Sequence, residues 1–236
     1  MKISGSGKLS GGKIDDELHT SGSLRIAGNF ECNAFSSSGS TRIQGNLTVL
    51  GDIKNSGSFR LVGYLYADGD ARFSGSTSVE GEISIKKDLI NSGSLRVGNK
   101  IEVHQDINFS GSSRVQGDII SHRDIVISGS STIHGSITGA DISIGREKLI
   151  KRSMYKHPNK IYGDIIARKD IILIGTLVEG DVRGRDIVIG RGTEVKGKVY
   201  YVDDIQIHEK AVLAHNPVKV NLENLEKTKK KFKNDH

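Results

Sequence analysis

Apolar and polar residues alternate along most of this chain, and the alternation keeps its phase through short blocks separated by glycine or aspartate. A period of two puts every second side chain on one face, which is the signature of strands with one buried side. Around Gly81 the inward set is Thr77, Val79, Ile83, Ile85, Leu89 and Asn91; one block later the same places hold Leu95, Val97, Ile101, Val103, Ile107 and Phe109. Ser78, Ser84 and Ile90, then Arg96, Glu102 and Asn108, fall on the outward side. Helical spacing fits none of this stretch.

The blocks repeat. Ser-Gly-Ser recurs with its glycine at Gly5, Gly22, Gly39, Gly57, Gly75, Gly93, Gly111 and Gly129, at spacings of 17 or 18 residues. A second series runs through Gly28, Gly45, Gly63, Gly81, Gly117, Gly135, Gly163, Gly180 and Gly197, with Asn99 in the remaining place. A third is acidic: Asp52, Asp70, Asp88, Asp106, Asp124, Asp141, Asp170, Asp186 and Asp204. Self-similarity at such a period marks a solenoid. Three strands per repeat, with corners at Gly, Gly and Asp, describe an all-β chain wound as a three-sided parallel β-helix. About 12 coils fit between residues 3 and 215, giving a rod ~55 to 60 Å long at the usual strand separation. The inward pairs recur every six residues, as in left-handed hexapeptide helices, whereas parallel crossovers favour the right hand, so the pattern leaves both hands open.

Each column of the stack predicts a role. Corner glycines are expected at positive φ, a conformation Asn99 also tolerates, with the serine hydroxyls bonded along the stack. The aspartates are expected to bond corner backbone groups rather than calcium, because the paired-glycine calcium nonapeptide is missing. Arg25, Arg42, Arg60, Arg96 and Arg114 form an outward column, with Ser78 and Thr132 in its gaps, and read as a solvated face with local pairing to Glu80 and Asp118. His104 and His122 share a column, but its neighbouring places hold Lys86 and Ala140, so no third ligand or carboxylate partner completes a site. Cys32 falls on the buried phase as a small hydrophobe.

Register breaks once: Gly135 and Gly163 are 28 residues apart, so about 11 residues loop out near 146–160. The expected organisation is a rod over 1–215 carrying this loop, then a Lys-rich tail over 216–236, frayed or weakly helical. The net charge of +6 is local. Segment 146–160 carries +5 and segment 217–236 carries +3, leaving the rest of the chain at −2. Basic-partner hypotheses therefore concern a loop and a tail, and nucleic acid is not the expected partner of the body. A lone cysteine excludes a disulfide framework, and no apolar leader or long apolar run occurs, so a reducing, cytoplasmic setting is expected. There is no P-loop, dinucleotide fingerprint or Ser/His/Asp arrangement, so neither a catalytic, cofactor-binding nor metal site is expected.

A parallel β-helix exposes at each end a coil of unpaired backbone groups over an apolar core. Ile3, Leu9, Ile14 and Leu18 are expected at one open end, and Val212, Leu213, Val218 and Val220 at the other. With no capping helix in view, this predicts end-to-end association into filaments. At this point the SGS–x–R–[IV]–x–G–[DN]–[IL] units, as in SGSTRIQGNL and SGSSRVQGDI, resemble those of the bactofilins over residues 3–215. The resemblance implies a right-handed three-sided β-helix and a cytoskeletal scaffold that polymerises without nucleotide or metal and recruits partners in cell shape or motility. Two departures stand out: a longer rod, and no N-terminal membrane-targeting segment.

Membrane or acidic-partner contact would then fall to the tail or to the loop, where Leu149, Ile150, Met154 and Tyr155 lie among Lys148, Lys151, Arg152 and Lys156. Ile90, Val126, Ile172 and Val188 form an outward apolar column suited to bundling or partner docking. Two other readings compete with a scaffold. One is a left-handed hexapeptide acyltransferase or carbonic anhydrase-like trimer, with a histidine-bearing cleft between subunits. The other is an adaptor that binds nucleic acid or an acidic protein through the basic loop.

Overall fold

The structure is a computed structural model that describes residues 1–146 and 159–221. Among these there are 36 short strands, β1 to β36, and no helix. They form three parallel sheets of 12 strands each, in which each strand's neighbours lie three places away along the chain. The first sheet starts at β1 (Lys2–Ile3), the second at β2 (Ser6–Leu9) and the third at β3 (Gly12–Lys13). The chain is thus the three-sided parallel β-helix that its period predicts.

Phase and register agree with the alternation. Thr77 and Val79 lie beside Leu95 and Val97, Ile83 and Ile85 beside Ile101 and Val103, and Leu89 and Asn91 beside Ile107 and Phe109. All twelve are buried. One narrow interior runs the length of the stack, filled mainly by Ile, Val and Leu, with Phe35 and Phe59 meeting edge to face at 5.6 Å. Each such side chain contributes roughly 1.5–3 kcal/mol by leaving water. Polar residues enter this interior next to the Ser-Gly-Ser corner, where they bond across it. Asn55 donates to Thr77 Oγ1 (3.0 Å) and to the Gly57 carbonyl, and Asn91 donates to Ser113 Oγ (3.3 Å) and to the Gly93 carbonyl.

The corner glycines serve a different purpose from the expected one. Among the described residues positive φ occurs at Gly11, Gly12, Gly28, Gly145, Gly175 and Gly192, and at no other kind of residue, so only Gly28 belongs to the two series. Nor does any hydrogen bond among the described residues join the corner hydroxyls along the stack. The serine amide does that work instead: Ser94 N–H donates to the Gly75 carbonyl (3.0 Å), and Ser112 N–H to that of Gly93 (2.9 Å). Each glycine carbonyl therefore points at the next coil's glycine, and a Cβ there would overlap it. Close approach, not backbone conformation, selects glycine. Asn99 stands in this series without a positive φ, its side-chain oxygen accepting from the Lys100 amide (2.9 Å).

The aspartates do bond backbone, and they do so between coils. Oδ1 of Asp52 accepts from the Asp70 amide (3.0 Å), and the pattern continues from Asp70 to Asp88, Asp88 to Asp106, Asp106 to Asp124, Asp124 to Asp141 and Asp141 to Asp170. A second ladder, not anticipated from sequence, follows the second glycine series. Asn29 Oδ1 accepts from the Asn46 amide, Asn46 from Tyr64, Asp118 from Ser136, and Asp164 from Asp181. Its signal was the Asp or Asn that follows five of these glycines, Asn29, Asn46, Asp118, Asp164 and Asp181. Side-chain acceptors thus take up amides at the corners, where the sheet ladders are interrupted.

The insertion leaves the rod after β25 (Ile142–Ile144) and returns at β26 (Asn159–Ile161), which pairs with β23 (Ser130–Ile133) so that Ile161 lies beside Ile133. The stack therefore continues across it without a shift in phase. Lys148, Leu149, Ile150, Lys151, Arg152, Met154, Tyr155 and Lys156 lie outside the described residues, as does the tail from 222 onward.

Cys32 is wholly buried, and burial pushes its thiol up to about 12, with the Glu31 carboxylate adding to the shift. The unfolded thiol, near 9.0, ionises first, so the native state holds the extra proton between these values. Stability is therefore expected to fall as pH rises from 9 towards 12, by up to about 4 kcal/mol from this group. Urea titrations of the wild type and Cys32→Ala across that range check it, the variant losing this part of the slope.

Candidate functional site

The interior is filled by its own side chains, so function must reside on the ends and flanks of the rod. At the ends the three sheets stop together. Strands β1, β2 and β3 have a neighbour on one side only, and so do β34 (Ile205–Ile207), β35 (Val212–Leu213) and β36 (Val218–Lys219). Each end thus presents a full coil of backbone donors and acceptors with no strand beyond it among the described residues.

The apolar residues expected at these ends divide by register. Ile3, Leu9 and Ile14 are half-buried and pack on the core from the first coil. Leu18 does not belong with them: it is fully buried in the second coil. At the other end Leu213 lies beside buried Val195 and faces inward. Val212, beside Glu194, points outward with 55% of its surface exposed, and Val218, beside Tyr200, is outward as well. Val220 sits past the last strand, half-buried, its amide bonded to the Tyr201 carbonyl. Sequence reasoning missed Tyr201, Ile205 and Ala211, which pack beside Leu213 against the core, and Ile207, which continues the inward column of Ile189 yet is 45% exposed. Lys219 partly covers this end, its ammonium 5.9 Å from the Tyr201 ring centroid and donating to the Asp203 carbonyl.

Along the first sheet the proposed lateral column runs Ile90, Asn108, Val126, Ser143, Ile172, Val188. All four apolar members face outward, but polar residues separate Ile90 from Val126 and Val126 from Ile172. Ile172 and Val188 are adjacent, and Val188 borders a shallow groove with Ile174, Arg191 and Ile207. If this patch joins rods side by side, Ile172→Lys with Val188→Lys will disperse bundles into single filaments; light scattering against electron microscopy separates the two, and persisting bundles would refute the assignment.

The second sheet carries the cations. Lys8, Arg25, Arg42, Arg60, Ser78, Arg96, Arg114, Thr132 and Lys160 lie side by side in successive coils. Arg60 bonds Glu80 at 2.7 Å, as expected. Asp118, expected to pair with an arginine, instead gives an oxygen to the Ser136 amide.

The histidine column ends in a stack, His104 lying parallel on His122 with ring centroids 4.8 Å apart. Among the described residues no group of three or more His, Cys, Asp or Glu side chains is placed to hold a metal ion, and no helix is long and apolar enough to cross a membrane. Comparison with family models, with curated proteins and with solved structures returns no match.

Proposed function

We propose that this protein is a structural scaffold that assembles end to end into filaments without nucleotide. The observation that carries this reading is the pair of open coils, each combining unpaired strand edges with half-buried apolar side chains. A further copy stacked at either end would satisfy both at once, continuing the ladders and removing Ile3, Leu9 and Ile14, or Ile205, Ile207 and Leu213, from water. A rod whose described strands leave an edge open at each end gives a linear polymer when such edges pair head to tail. The likeness of the repeats to those of bactofilins agrees with this reading and adds recruitment of partners along the filament.

Negative-stain electron microscopy of the purified chain, with chelator and without nucleotide, tests it. Filaments of rod width are the expected result. Discrete trimers or monomers would overturn it, and trimers would point to the hexapeptide enzyme reading, in which His104 and His122 would be replaced next.

A further inference from the structure

We infer that the second sheet is a docking face for an anionic membrane surface, on which the rod lies along its length. This reading does not depend on filament formation. The face is defined by two in-register columns. One holds Lys8, Arg25, Arg42, Arg60, Arg96, Arg114 and Lys160, spanning eight coil intervals or about 38 Å at the usual strand separation. The other, two residues earlier, is an exposed row of serines from Ser6 through Ser58 and Ser94 to Ser130. A shallow groove lies between the rows at Ser94, Arg96, Ser112 and Arg114, and another borders the cation row on its far side, at Lys8, Arg25, Arg42, Ala27 and Gln44.

Six of the seven cations, all but Arg60, make no ion pair or hydrogen bond among the described residues. Like charges side by side on neighbouring strands oppose folding, so six uncompensated ones mark a surface arranged for an external anion. Several cations on the other faces are compensated, Lys13 with Glu31, Lys86 with Asp68, Lys100 with Glu102, Arg183 with Asp181 and Arg185 with Asp203, and the unpaired ones there, such as Lys87 and Arg123, form no comparable column among the described residues. The column tolerates hydroxyl residues at Ser78 and Thr132, so the arginines are not needed for the fold.

What kind of anion follows from the shape. A second copy would need an uncompensated acidic column, and the aspartate series stands among Lys86, Lys87, Arg123, Arg168 and Lys169 at the same corner. Single-stranded nucleic acid is held by aromatic platforms, and no aromatic side chain projects from this face before His134. A duplex winds away from a straight row within one turn. A membrane surface is flat, and its headgroups diffuse to meet each guanidinium, so no matching repeat is required. The serine hydroxyls add donors for phosphate oxygens.

The test is co-sedimentation of the full chain with phosphatidylcholine vesicles, with and without phosphatidylserine. Binding is expected only with phosphatidylserine and is expected to weaken steeply with salt. Changing Arg25, Arg42, Arg96 and Arg114 to serine should weaken it by about 100-fold or more, since each surface cation contributes severalfold. A charge-matched control, Lys54, Arg72, Lys87 and Arg123 to serine on the other faces and corners, should retain most of the affinity. Circular dichroism verifies that both variants are folded. Absence of binding by the wild type overturns the inference. So does equal loss in both variants, or full binding by the ladder variant, which would assign attachment to the basic loop or tail. Tighter ladder-dependent binding to polyuridylate or polyphosphate than to vesicles would also overturn it in favour of a linear polymer.

Discussion

Replacing Ile205 and Leu213 together by arginine is expected to abolish filaments while leaving the rod folded. Both side chains lie in the last coil, packed against the core on one side only. In the isolated chain an arginine at either place can turn its guanidinium to water over the open end. In a filament the same group would be sealed under the next copy without a partner, and a buried unpaired charge costs several kcal/mol. Two such charges raise the concentration needed for assembly by at least about 100-fold, even at little more than 1 kcal/mol each. Pelleting assays over a concentration series, with melting curves as the control, would measure this. Filaments persisting at wild-type concentrations would remove this end from the assembly contact. Val212→Arg is the matched comparison: its side chain points outward from the second sheet, so assembly should survive it.

Gly93→Ala is expected to destabilise the body of the rod strongly. Its Cβ would overlap the Gly75 carbonyl oxygen, which accepts from the Ser94 amide in the inter-coil ladder, and stand too close to that of Ser74. The Gly75 oxygen cannot move away without breaking that hydrogen bond. Overpacking against fixed backbone costs on the order of 3 kcal/mol. The same change at Gly5, in the first described coil, meets nothing within 4 Å, and its effect on stability should be near zero. Urea unfolding of the two variants makes the comparison directly. Equal stability would mean that the corner relaxes, and that close approach is not why glycine stands there. The Gly5 variant carries a second reading: loss of filaments with unchanged stability would place another copy's backbone on that corner.

Much of this molecule was legible before any coordinates. Alternation is a local property, fixed by the pleat of each strand, and the repeat carries it from coil to coil. The interior columns from Thr77 to Phe109, the arginine column and the aspartate ladder could therefore be counted off the chain. Three corner signals per repeat determined the three sides, and the unbroken spacing determined parallel register. The insertion was visible as a gap of 28 residues, and the stack proved to resume in phase beyond it.

Only the tertiary structure decided what depends on contacts between coils. The glycines looked conformational, yet they answer to a carbonyl oxygen about 17 or 18 residues earlier in the chain, a distance no local rule reaches. Leu18 looked terminal but is covered by a coil that precedes it, while Ile205 and Ile207, passed over as ordinary body residues, form the last layer. Val212 and Leu213 are neighbours in sequence with opposite fates: Leu213 keeps the inward phase of Ile205 and Ile207 across the turn, and pairing with Glu194 and Val195 confirms that Val212 points outward. The sequence by itself determined the columns; which residues end the columns, and which atoms forbid a side chain within them, followed from stacking one coil on another.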